Sequence, residues 1–229
     1  MAQPFSSRDD IKRDVFQDSM KKALDWISRR RQTFFSIVGT AAVAAVVGVF
    51  VAANFRSLKK QAWERYSAGQ NWAYAGDAAK AMGLFDDVLA NFARTPAASY
   101  TLLAKADLLY NQKRFADAAR AYRDCLSRDL PKAIRPYALA GLGCAQEDQG
   151  DFPGAVESYR QFTASYPDHI LSPKIYESLG RVYELSMNLE AAKESYEKII
   201  TMFPGTFWSE RARVRYQILA PQPFQSSPG

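Results

Sequence analysis

With a single histidine, His169, and two cysteines, Cys125 and Cys144, in 229 residues, the sequence is poor in side chains that bind transition metals or act as nucleophiles. No His or Cys cluster has metal-ligand spacing. His169 stands beside Asp168 in what reads as a loop, so a Ser-His-Asp or Cys-His site would have to be built there, and an exposed structural histidine is the simpler reading. Gly141 and Gly143 fall inside a helical pattern with no third glycine, which is not a phosphate loop. Acidic pairs such as Asp86-Asp87 and Glu147-Asp148 read as solvated faces. These absences point to a non-enzyme without metal or cofactor.

An excess of one charge is also lacking. Thirty basic against 24 acidic side chains give +6, and residues 1–33 hold eight basic and five acidic, half of that excess. The remainder is too balanced to offer the concentrated basic face that nucleic acid needs. The two cysteines lie on neighbouring antiparallel helices. Reflecting position 125 about a turn near 131 leaves it roughly seven residues from 144, about 10 Å at helical rise, too far for a disulfide. Two free thiols are expected.

Long apolar runs are absent but for one. Phe34 to Ala53 holds 20 residues without a charge, with only Ser36 and Thr40 polar in their side chains. As a helix it is about 30 Å long, the thickness of a bilayer core. A cleaved signal peptide is the competing reading, since Val51-Ala52-Ala53 offers small residues before Asn54. The run exceeds the usual signal core and its 33-residue leader is too acidic, which favours an uncleaved anchor. Arg29-Arg30-Arg31 before the span tips orientation toward an N-terminus in the cytoplasm, against Arg56, Lys59, Lys60 and Arg65 after it. Ala41 with Ala45, and Ala44 with Gly48, suit a helix-dimerising face, although such spacings more often mark just an alanine-rich span. Ahead of the span, Ser7 with Asp10 forms a capping-box pattern opening a helix with Ile11, Val15, Met20, Leu24 and Ile27 on one face. It reads either as a helix on an anionic membrane surface or as an ordinary juxtamembrane helix.

What is abundant is repetition. Phe85, Tyr122, Tyr159 and Tyr196 are spaced by 37 residues, and so are Ala81, Ala118, Ala155 and Ala192. Gly69, Ala106, Gly143 and Gly180 keep the same interval. So do Ala78, Phe115, Phe152 and Leu189, and again Val88, Cys125, Phe162 and Ile199. The clearest copy, from Gly143 to Pro167, reads as a helix, a Gly150-Asp151 turn and a second helix stopped by proline. A small residue lets the paired helices approach, and the aromatic fills the gap toward the next hairpin.

These columns resemble the tetratricopeptide repeat family, with a small residue in the first helix, Ala then an aromatic in the second, and a closing proline at Pro167 and Pro204. Pro131 is one residue late and Pro96 three. The period of 37 exceeds the family's 34, which predicts longer connections between hairpins. The expected fold is all-α: a transmembrane helix, then a right-handed solenoid of four hairpins plus a capping helix. The domains would be residues 1–33, an N-terminal cytoplasmic segment with an amphipathic helix; 34–53, the span; 54–220, the repeat array; and 221–229, a disordered tail like residues 1–6. Turns fall at Gly76-Asp77, Lys113-Arg114, Gly150-Asp151 and Met187-Asn188. The first hairpin would begin near Leu58, about five residues after the span. The last helix, Thr206 to Leu219, is N-capped by Thr206 and shows a charged face through Glu210, Arg211, Arg213 and Arg215.

The resemblance implies that first helices line a groove for polypeptides. Its columns carry Trp63, Tyr100, Tyr137 and Lys174; Tyr66, Leu103, Ala140 and Glu177; Gln70, Asp107, Cys144 and Arg181; Ala73, Tyr110, Glu147 and Glu184. The candidate binding residues are Trp63, Tyr66, Tyr100, Leu103, Tyr110 and Tyr137, unless the first aromatics instead pack on each other or on the membrane-proximal linker. The Lys, Arg and Asn places that clamp chaperone C-termini hold Tyr66, Gln70 and Leu103, so that specificity is not expected. A basic leader, one span and four hairpins also resemble the bacterial inner-membrane ancillary subunit of the Sec translocon and the Tol-Pal cell-division coordinator. That resemblance implies a chaperone-like protein with a periplasmic array and polypeptide clients. A structural scaffold of an envelope or cell-division complex, dimerised through its span, is the alternative.

Overall fold

The computed structural model describes residues 8–220, with side chains at 17–22 and 25–220. The Ser7 cap, the Ile11, Val15 and Leu24 side chains, and the frayed ends expected at residues 1–6 and 221–229 lie outside the described residues. Every described element is an α-helix. The chain divides into two units, Met1–Ser57 and Leu58–Gly229.

The first unit contains α1 (Arg8–Arg29) and the start of α2 (Arg31–Tyr74). Asp25 pairs with Arg29 at 2.9 Å and Asp18 with Lys22 at 3.9 Å, the i,i+4 geometry of one helix face. Among the described residues nothing covers the apolar run in α2, and Phe35, Val46 and Phe50 are exposed. It is long and apolar enough to be a candidate membrane span. The five-residue link expected after Ala53 does not exist. The residues there, Asn54 to Ser57, include no Gly or Pro, so helical hydrogen bonding continues through them and α2 ends only at Tyr74.

In the second unit the remainder of α2 pairs with α3 (Ala78–Asn91). Then follow α4 (Pro96–Asn111) with α5 (Phe115–Leu126), α6 (Arg135–Gln149) with α7 (Phe152–Ser165), α8 (Ser172–Leu185) with α9 (Leu189–Met202), and a last helix α10 (Phe207–Leu219). Each helix from α4 to α10 packs on the one before it. All four expected hairpin turns are present and built alike. Gly76, Lys113, Gly150 and Met187 have φ of 84°, 59°, 84° and 59°, the left-handed residue that ends a helix. The next residue opens the second helix: the side chains of Asp77, Asp151 and Asn188 accept from the amides of Lys80, Gly154 and Ala191. Arg114, in the same register, makes no such cap. The longer connections fall between hairpins, at residues 127–134 and 166–171. Pro96 is no late stop: it is the first residue of α4, where a missing amide hydrogen does no harm.

The repeated columns are the core. Ala81, Ala118, Ala155 and Ala192 are fully buried, with Phe85, Tyr122, Tyr159 and Tyr196 beside them. A methyl placed on Gly69 would lie 2.6 Å from the Phe85 ring, and one on Gly180 would lie 2.8 Å from the Tyr196 ring. In the first, third and fourth hairpins the aromatic therefore rests on the bare backbone of its own hairpin, not primarily in the gap to the next. The second hairpin differs because Ala106 already carries a methyl. There the ring of Tyr122 lies against Gly141 of the following hairpin, where no Cβ would fit.

The last helix departs from a uniformly charged cap. Thr206 caps it reciprocally with Ser209, as its sequence implies. Arg211 and Arg215, about half exposed, pair with Glu177 at 2.9 Å and with Glu184, both of α8. Phe207, Val214 and Ile218 are left exposed at 66, 58 and 61%.

Candidate functional site

The first helices of the hairpins present their expected columns on one face of the array, and the six singled-out residues fall into four settings. Trp63, Tyr66 and Tyr100 form a mutual aromatic cluster with ring centroids 5.2 to 6.3 Å apart. Gln70 donates to the Tyr66 hydroxyl at 2.7 Å. The cluster both packs on itself and stays open: Trp63 is 37% exposed, and Tyr66 and Tyr100 are half-buried. Leu103 is half-buried against the core of α4, α5 and α6, which makes it largely a packing residue. Tyr110 stacks on Phe115 at 5.5 Å and donates its hydroxyl to Asp148. Tyr137 is exposed, edge-on to His169 at 5.4 Å.

His169 is not free in its loop. It is a wedge among Tyr137, Phe162 and Tyr166, and its Nδ1 accepts from the Leu171 amide at 3.2 Å. It orders the connection between α7 and α8. Cys125 is buried and Cys144 half-buried, both free thiols, and burial pushes Cys125 up to about 11. Burial raises Cys144 too, against a hydrogen bond donated by Tyr159. Neither thiol is activated as a nucleophile.

Two recesses open along the face. One of about 330 Å³ is lined by Asp107, Tyr110 and Asn111 of α4, by Cys144 of α6 and by Lys174 of α8, with the Tyr122 ring below. The other, of about 200 Å³, lies between α2 and α4 and is lined by Ala73, Tyr74, Phe85 and Leu108, sharing Asp107 and Asn111 with the first. Reading by columns placed Asp107, Cys144 and Lys174 on this face without marking them as site residues. It missed Asn111 and Tyr74 altogether, because their accessibility depends on where neighbouring helices leave space.

Of the Glu147-Asp148 pair, Asp148 is exposed as expected but Glu147 is not. Glu147 accepts from the Tyr159 hydroxyl at 2.8 Å and from Arg181 Nε at 2.6 Å, and its side chain is only 10% exposed. That hydrogen bond to Glu147 raises Arg181 above its ordinary value. Glu184 repeats the pattern, accepting from the Tyr196 hydroxyl at 2.6 Å and from Arg215 Nε at 3.2 Å. The charges expected to face a partner from the fourth hairpin are therefore partly spent on neutralising the array itself. Asp86 and Asp87 likewise pair, with Lys105 at 2.5 Å and with Arg65. Asp107 accepts from the Tyr122 hydroxyl at 2.5 Å. Its carboxyl still meets solvent in the recesses, yet desolvation raises it, with the Tyr122 hydrogen bond opposing.

A tetratricopeptide repeat family model matches residues 140–207. Among curated proteins no sequence matches. Solved structures with similar folds include a tetratricopeptide repeat protein from Parabacteroides merdae, at TM-score 0.60 and 14% identity over 70% of this chain. This chain spans 60% of that protein's length. A MamA protein is similar at TM-score 0.58 and 22% identity, covering 69% of this chain and 80% of that one. MamA from Desulfovibrio magneticus RS-1 is similar at 0.54 and 16%, covering 69% and 89%. These likenesses are of fold. Residues 140–207 thus match a tetratricopeptide repeat model, and the helices from Leu58 to Leu219 share the fold of tetratricopeptide repeat solenoids.

Proposed function

We propose that the chain is a membrane-anchored polypeptide-binding protein, a chaperone-like ancillary factor near the protein-export translocon of a bacterial inner membrane. In this reading residues 34–53 span the membrane, the N-terminus is cytoplasmic and the repeat domain is periplasmic. The observation that carries it is the open Trp63, Tyr66 and Tyr100 cluster, continued along the same face by two recesses and the exposed Tyr137. Aromatic surface of this kind gives large contact area at low entropic cost and suits extended or unfolded segments. The basic leader and apolar helix add the resemblance to the Sec ancillary and Tol-Pal types. A photoreactive phenylalanine at Tyr137 in the full chain, expressed in cells, should crosslink to secretory polypeptides. Labelling that persists unchanged when export is blocked overturns the translocon role.

A structural scaffold is the second reading, favoured by the exposed Phe207, Val214 and Ile218 stripe of α10. One partner recovered at constant stoichiometry, insensitive to arrest of translation, would favour it over transient client binding.

A further inference from the structure

Three hairpins join a tyrosine of the second helix to a carboxylate of the first: Tyr122 to Asp107, Tyr159 to Glu147 and Tyr196 to Glu184. In two of them the carboxylate is also met by an arginine from a following helix, Arg181 and Arg215. The rung at Asp107 is incomplete. Asp107 stands one helical turn before the column of Glu147 and Glu184, which Tyr110 holds in this hairpin, and the residues of α6 that share its recess include Gly141 and Cys144. Both are small and uncharged, and both line the 330 Å³ recess. Among the described residues no ion pair reaches Asp107, although Lys174 lines the same space.

The geometry points to an arginine of a bound polypeptide as the missing member: we propose that its guanidinium enters the recess and pairs with Asp107. A planar fork suits a carboxylate already held on one side by a tyrosine hydroxyl, as the two complete rungs illustrate within this chain. The second recess, walled by Ala73, Phe85 and Leu108, lies on the other side of Asp107 and takes an apolar neighbour of that arginine. The inference rests on the polypeptide-binding reading above and names its specificity: an extended segment with arginine beside apolar residues. Desolvation of the Asp107 carboxyl agrees with a group that gains by acquiring a cation.

The test uses the full chain in detergent micelles and fluorescence anisotropy. The probes are a fluorescein-labelled Ala-Leu-Ala-Arg-Ala-Leu-Ala peptide and the same peptide with citrulline, the uncharged isostere, in place of arginine. The wild-type chain should bind the arginine peptide about tenfold or more tightly, the scale of one charge-assisted pair. Asp107→Asn keeps an acceptor for Tyr122 and should bring the arginine peptide down to the citrulline peptide, whose affinity stays unchanged. Cys144→Arg supplies the cation from within and should abolish the same preference, which decides the matter if Asp107→Asn fails to fold. A wild-type preference under twofold, or one that survives both substitutions, overturns the arginine assignment while leaving polypeptide binding intact. Failure of the wild-type chain to bind either peptide overturns both.

Discussion

Gly180 illustrates how a single hydrogen in place of a methyl shapes the array. A Cβ there would press on the Tyr196 ring at 2.8 Å, and Tyr196 is 1% exposed, its hydroxyl held by Glu184. Gly180→Ala should therefore lower stability by about 1–3 kcal/mol through overpacking. Gly83, on the exposed side of α3 with nothing within 4 Å of its missing Cβ, is the control: Gly83→Ala should raise stability by about 0.5–1 kcal/mol from helix propensity. Urea unfolding of the full chain in micelles compares them. Asp107 supplies a pH signature. Its carboxyl is raised above the ordinary range in the folded chain, so the folded state binds a proton more tightly than the unfolded chain does. Its contribution is thus least favourable when it is ionised. Asp107→Asn should raise the melting midpoint at neutral pH, and the gain should vanish as pH falls below the ordinary carboxylate value. A gain that grows on acidification would contradict this sign. The small-residue and aromatic columns were legible because period alone exposes them. The reach of each tyrosine hydroxyl was not, since it depends on whether a glycine or Ala106 lies beneath the ring.

At the scale of elements, one turn is repeated four times with unequal chemistry. Gly76-Asp77 and Gly150-Asp151 place glycine at the left-handed residue and a carboxylate at the cap. Lys113-Arg114 has neither, so the second hairpin carries a strained φ of 59° and an uncapped helix. Lys113→Gly should stabilise the array by roughly 0.5–1 kcal/mol, the left-handed penalty less the added unfolded-state entropy of glycine. A lowered urea midpoint would show that the Lys113 side chain does more than endure its backbone. The turns were readable because Gly-Asp between two helical periods has a mechanism, and the 37-residue interval carried that reading to Lys113-Arg114 and Met187-Asn188. The first helix of the first hairpin was misjudged at its start. No Gly or Pro separates Ala53 from Leu58, and without a breaker the helix continues through Asn54 and Ser57. Helix α10 was half legible: Thr206 caps it, but which of its sides meets α8 and α9 was a matter of packing, and Arg211 and Arg215 reach across to carboxylates of α8 while Phe207 and Ile218 stay exposed.

For the whole molecule, the proposed topology makes a direct prediction. Protease added to intact spheroplasts should cut the repeat array, the longest connection, residues 127–134, being the natural first site. Survival of the array until the cells are lysed would place it in the cytoplasm and remove secretory clients from consideration. The sequence by itself determined the number of hairpins, their turns and their core, because a fixed period repeats the same burial requirement in every copy, and it determined the one apolar run long enough for a bilayer. Only the tertiary structure decided which groove residues remain available. Neighbouring hairpins supply the arginines that occupy Glu147 and Glu184, whereas among the described residues no arginine pairs with Asp107, whose recess they line with Gly141, Cys144 and Lys174. Such partnerships cross repeats at distances that no single copy of the repeat encodes.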